Sequence, residues 1–220
     1  MKIIKDKSMT NVKNTTGVAS RKERERQVKK KDILKAAREV FAQKGLHAAT
    51  LDEIAEKAEF AKGTLYGYFS SKENLFISVV EEEMINFREK IKDVLIQDIT
   101  PDQTIALLVV TMLQIFDQNI DLLRLMNREQ LAVTTCADGI VKSRFRRHYQ
   151  KMVNMVSEHI AHGIELNQFH ALNPNQVAIA IFSLCHGVAI NSFMNRKKIY
   201  NTDNITLITN LLLDGIKTRN

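Results

Sequence analysis

Thr50-Leu51-Asp52-Glu53-Ile54-Ala55-Glu56-Lys57-Ala58-Glu59-Phe60-Ala61-Lys62-Gly63-Thr64-Leu65-Tyr66-Gly67-Tyr68-Phe69-Ser70-Ser71-Lys72-Glu73-Asn74-Leu75 is the stretch that decides the fold. Thr50 and Glu53 have the spacing of a capping box, in which side chain and backbone satisfy each other at a helix start. The helix they open buries Leu51, Ile54, Ala55 and Ala58 on one face. A tight connection at Glu59-Phe60 leads to a short helical segment, Ala61 to Gly67. Ser70 and Glu73 repeat the capping spacing and open a long helix from about Ser71 to Leu95. Upstream, Ile33, Leu34, Ala37, Val40 and Phe41 recur as one helix face, and Gly45 stands where a C-terminal cap belongs. Three short helices, two of them joined by a tight turn, make a helix-turn-helix unit.

Outward from this unit the chain reads as helical throughout. Thr100-Pro101 and Asn173-Pro174 each place a capping side chain before a first-turn proline. Helices are expected over 104–119, 121–135 and 140–166, over 174–195, and from Thr202-Asp203 through Ile205, Ile208, Leu211 and Leu212. The expected fold class is all-α, about nine helices in all. It divides into an arm (1–25), a helix-turn-helix domain (26–75) and a larger helical domain (76–220) for ligand sensing and dimerisation.

Charge separates the parts. The first 50 residues carry 14 Lys/Arg and 5 Asp/Glu, and the remainder carries 18 and 20. A basic front on a near-neutral body suits a polyanionic partner, nucleic acid first and an anionic membrane surface second. The basic arm lacks the apolar face that a membrane-surface helix needs. No run of about 18 apolar residues is found, so no membrane-spanning helix is expected. The two cysteines, Cys136 and Cys185, are far apart, which supports neither a disulfide framework nor a zinc knuckle and fits a reducing cytoplasm. No phosphate loop, nucleophile motif or metal-ligand spacing marks an enzyme, and no cofactor or metal is expected. His159 and His162 are three apart without a grouped third ligand.

The short segment at 61–67 is small enough for a major groove about 12 Å wide. Candidate DNA-contacting residues are Thr50, Ala61, Lys62, Gly63, Thr64, Tyr66, Tyr68 and Lys72. Lys62 and Thr64 suit base edges or phosphate, and Gly63 permits close backbone approach. Thr50 offers a hydroxyl at a helix N-terminus, where the dipole favours an anion. Tyr66 and Tyr68 bring phenol donors. Lys72 occupies a first helical turn, unfavourable for a cation unless an external phosphate offsets it. Arg21, Lys22, Arg24, Arg26, Lys29, Lys30 and Lys31 would add contacts from the arm.

These residues resemble the N-terminal domain of the TetR (tetracycline-repressor-like) family. The resemblance rests on Thr50, Ile54, Ala55, Ala58, Gly63, Leu65, Tyr66, Phe69, Lys72, Glu73 and Leu75. The family often has Gly-Val-Ser where this chain has Glu59-Phe60-Ala61, and often His where it has Tyr68. The resemblance implies a homodimer on a roughly palindromic operator, commonly a repressor released by a small molecule. The competing reading is an interaction or adaptor protein that keeps the fold without a ligand response.

In the second domain, helix 177–193 is apolar nearly all round and must be covered on all sides. A partner subunit is expected there, over Val177, Ile181, Leu184, Val188, Ile205, Ile208 and Leu212. A sensing cavity for a largely apolar effector is expected among Met112, Phe116, Met126, Phe145, Tyr149, Met152, Phe182 and His186. Methionine adapts to irregular apolar shapes. Lys142, Arg144, Arg146, Arg147 and Lys151 form a second basic cluster, either a solvated face or a reader of an acidic ligand.

Overall fold

A computed structural model describes residues 21–121, 123–124 and 140–216. Eight helices lie within them: α1 (Arg21–Ala48), α2 (Leu51–Lys57), α3 (Lys62–Tyr66), α4 (Lys72–Leu95), α5 (Pro101–Gln118), α6 (Ile140–Glu165), α7 (Pro174–Met194) and α8 (Thr202–Ile216). There is no β-strand among the described residues. Most of the helix expected over 121–135 lies outside them, as do Met126 and Cys136.

Helix α1 starts at Arg21, so residues 21–25, expected in the arm, are helical. Pairs one turn apart support this start: Arg21 Nε donates to Glu25 at 2.8 Å, and Gln27 donates to Glu23 at 2.8 Å. The apolar stripe Ile33, Leu34, Ala37, Val40 and Phe41 is buried, as its spacing requires. Gly45 breaks the helix with φ 79°, the left-handed region in which glycine carries no Cβ penalty. Phe41 meets Phe76 edge-on at 5.3 Å and fastens α1 to α4.

The α2 capping box forms as read: Glu53 N–H donates to Thr50 Oγ1 and Thr50 N–H to the Glu53 carboxylate, each at 3.2 Å. At its other end Phe60 N–H reaches Ala55 O and Glu59 N–H reaches Glu56 O, with Glu59 at φ 59°. That is a Schellman stop. The start of α4 is one residue later than expected. Ser71, not Ser70, accepts from Asn74 N–H at 3.1 Å. Ser71 has the extended backbone a cap needs, and hydrogen bonds from Glu73's own backbone N–H and then from the Ser71 hydroxyl hold the Glu73 carboxyl below the usual range.

Buried side chains form one core from Ile33 in α1 to Ile216 in α8. The expected boundary at 75/76 therefore falls inside α4, which serves both the helix-turn-helix unit and the larger domain. The inner row of α7 (Val177, Ala178, Ile181, Phe182, Cys185 and Ala189) is buried. By length and composition alone α7 is long and apolar enough to cross a membrane, with mean hydropathy 1.8. This corrects the expectation that no such run exists: Ser183, His186 and Asn191 interrupt it, but none carries a fixed charge.

Candidate nucleic-acid interface and effector cavity

Leu65 and Phe69 are buried and anchor α3 from beneath. That leaves Ala61, Lys62, Gly63 and Tyr66 exposed on one side, with Thr64 and Tyr68 half-buried. No side chain caps α3, because Ala61 has no oxygen to offer. A Cβ at Gly63 would meet nothing within 4 Å, so the protein itself makes no use of the missing side chain. Thr50 is exposed, and its hydroxyl oxygen accepts the Glu53 N–H. Lys62 pairs with Asp52, and both are more than half exposed. Lys44 donates to Glu53 at 2.7 Å and is the main cause of that carboxyl's lowered pKa. The Arg26 guanidinium lies 5.7 Å from the centre of the Tyr68 ring, which carries the basic first turns of α1 over this surface.

Lys72 is held from inside the molecule by two of the three N–H donors of its ammonium group. Its Nζ donates to His47 O and Ala49 O, each at 2.9 Å, and so satisfies carbonyls between α1 and α2. The conflict with the α4 dipole is offset from inside the molecule, with no external phosphate required.

A cavity of about 840 Å³ opens between α4, α5, α6 and α7. Six of the expected residues line it: Phe116, Phe145, Tyr149, Met152, Phe182 and His186. Met112 does not; it is fully buried in the core on the inner side of α5. Sequence reading missed the α4 wall, where Met84 and Phe87 continue the buried face of Val80 at helical spacing. Phe116 stacks edge-on against Phe87 at 5.7 Å and His186 at 6.1 Å, and Tyr149 against Phe182 at 5.6 Å. Burial lowers the His186 pKa, so a neutral imidazole faces the apolar chamber at pH 7.

Polar groups collect at two places. Asn86, Glu89 and Lys90 of α4 and Arg146 and Gln150 of α6 are exposed lining residues and form the mouth. Arg146 is the member of the second basic cluster that lines the cavity, whereas Arg144 is engaged by Glu81 at 3.0 Å. Elsewhere on the wall Arg38 of α1 donates to Glu83 at 2.8 Å and to Asn119 at 3.4 Å. Cys185 is fully buried, and burial pushes its thiol up to about 12, far from a reactive thiolate. No group of three metal-ligating side chains occurs among the described residues.

The family model for bacterial regulatory proteins of the tetR family matches residues 33–79. Residues 33–79 thus carry the N-terminal domain that the tetR family model describes. The fatty acid metabolism regulator protein of Bacillus subtilis is 30% identical over 124 residues, 50% of this chain and 64% of that protein. The transcriptional activator FasR of Mycolicibacterium smegmatis is 41% identical over 63 residues, 29% of each chain. The matches thus span less than two thirds of either relative. The crystal structure of FadR from Bacillus subtilis in complex with stearoyl-CoA superposes with TM-score 0.73 at 22% identity, covering 84% of this chain and 98% of that one, a likeness of fold.

The expected partner-facing row of this chain is displaced. Val177, Ile181, Ile208 and Leu212 are buried within the chain itself, and Leu184, Val188 and Ile205 are half-buried. The exposed apolar residues are Ile179 and Met194 of α7 and Leu207 and Leu211 of α8. In α8 the true outer row is one residue from the expected one, because Ile208 and Leu212 turn into the core.

Proposed function

We propose that the chain is a sequence-specific DNA-binding transcriptional regulator, a homodimer released from a pseudo-palindromic operator by an amphipathic effector. The observation that carries this is the cavity. Its volume lies within the roughly 300–1,000 Å³ of small-molecule sites. Its walls are aromatic and aliphatic, and Lys90 and Arg146 at the mouth have no carboxylate partner among the described residues. A long apolar chain inside and an anionic head at the mouth satisfy both halves. An acyl-CoA thioester is such a molecule, and FadR of Bacillus subtilis holds stearoyl-CoA. The exposed α3 face, Thr50 and the basic turns of α1 are the DNA-facing side, and the site of action is the cytoplasm.

The test is fluorescence anisotropy on DNA from just upstream of the gene, with scrambled DNA as control, across a salt series and with or without stearoyl-CoA. Specific binding should fall with log salt at about −0.9 per phosphate neutralised. Stearoyl-CoA should then release the DNA. Specific binding without release would remove the effector class. No binding to either DNA at low salt would leave the adaptor reading.

A further inference from the structure

One cavity-wall side chain belongs to the DNA-binding unit. Arg38 projects from α1, whose Leu34, Ala37 and Phe41 share the buried core with Ile54 of α2 and Leu65 of α3. Its Nη1 donates to Glu83 on α4 and to Asn119 where α5 ends, and all three residues line the cavity. The Glu83 side chain is 14% exposed and that of Arg38 27%, so the pair is screened less than a surface pair. Asn119 sits at the long end of hydrogen-bond range. An acceptor that enters at this end therefore competes with Glu83 and Asn119 for the one guanidinium. Glu82, next to Glu83, has its pKa raised by burial and then by the Glu83 charge, with Lys31, Lys30 and Arg38 opposing. Cations of α1 thus hold a crowded negative pair on α4.

We propose that Arg38 is the joint between cavity and DNA-binding unit: an occupant at this end and the Arg38 contact to Glu83 and Asn119 exclude one another. This rests on the reading that the cavity takes an effector. Filling the cavity then breaks the tie between α1 and α4 and loosens the helix-turn-helix unit from the larger domain. By linkage DNA and effector weaken each other by one factor, and that factor passes through Arg38.

The experiment uses the full chain and a DNA fragment selected from a random pool by the wild type. Arg38→Gln, Glu83→Gln, the double variant and the swap Arg38→Glu/Glu83→Arg are compared by anisotropy. Helicity and melting are followed by circular dichroism, and stearoyl-CoA uptake by calorimetry. Without ligand, each single variant should bind DNA at least about five-fold more weakly, the lower end of typical coupling. The double should be no weaker than the singles, and the swap should recover affinity. The salt slope should stay unchanged, because no phosphate contact is lost. With stearoyl-CoA the wild type should be released, and Arg38→Gln, still able to take up the ligand, should shift less than about two-fold. Release of Arg38→Gln by the wild-type factor overturns the joint and leaves the effector reading standing. If the wild type takes up no stearoyl-CoA, that reading fails instead, and the ligand-free comparison decides: additive losses, or none, overturn the joint. A wild type that selects no DNA sinks both.

Discussion

Glu59 holds the turn between α2 and α3 at φ 59°. A side chain in that region crowds the following carbonyl at roughly 1–2 kcal/mol. The residue is exposed, so the strain is not offset by burial. Glu59→Gly is therefore expected to stabilise the fold by about 1 kcal/mol, seen as a higher urea midpoint at unchanged slope. A midpoint that stays put or falls would show that the glutamate side chain contributes there. Gly63 poses the reverse case. Its Cβ position is open, and alanine is better than glycine in a helix by up to ~1 kcal/mol. Gly63→Ala should keep or raise the melting temperature while weakening DNA binding, because the space it fills belongs to the DNA. A variant that binds DNA as well as wild type would remove Gly63 from the interface. The missing side chain at Gly63 is plain in the sequence, but the strain at Glu59 is not, since it depends on a backbone angle.

At the scale of elements, helix starts were legible from their caps and prolines, and the ends expected at Gly45, 166 and 195 lie within a residue of those observed. Thr50 and Asn173 cap as their side chains advertise, and both Pro101 and Pro174 sit in first turns. The stops of α2, α6 and α7 are all Schellman turns, but their left-handed residues are Glu59, Asn167 and Arg196. Without glycine at that position, no composition signal marks the turn itself. The α6 stop carries a further constraint. Phe169 folds back onto Gly163, and a Cβ there would lie 2.4 Å from the ring. Phe169 is buried, so it cannot swing into solvent without losing its core contacts. Gly163→Ala should destabilise by roughly 1–3 kcal/mol, as overpacking does, despite alanine's better helix propensity. Chemical denaturation measures this directly; a neutral or stabilising result would mean that Phe169 repacks freely. The cavity was legible where its lining is aromatic, at Phe116, Phe145, Tyr149 and Phe182. It was not legible at Arg38 and Glu83, 45 residues apart and brought together only by the packing of α1 on α4.

For the whole molecule, the exposed apolar residues of α7 and α8 call for cover. The sequence showed that α7 needs cover on every side but not which side turns inward, since apolar residues occur on all of them. In α8 the register is now fixed: Ile208 and Leu212 are buried, whereas Leu207 and Leu211 are 52% and 58% exposed. A second copy related by two-fold symmetry would bury these leucines with Ile179 and Met194 and would hold two α3 helices for half-sites about 34–36 Å apart, or a multiple of that. Losing that partner removes the second binding event's local concentration, worth about 10²–10⁴ in avidity. The double variant Leu207→Glu/Leu211→Glu should therefore run as a monomer by light scattering, keep its helicity, and bind DNA at least about 100-fold more weakly. Leu212→Ala separates interface from core. It should lower stability by roughly 2–5 kcal/mol through a cavity, with the molar mass of the folded protein unchanged. If the glutamate pair left the mass and DNA affinity as they were, the contact between subunits would lie elsewhere on the surface.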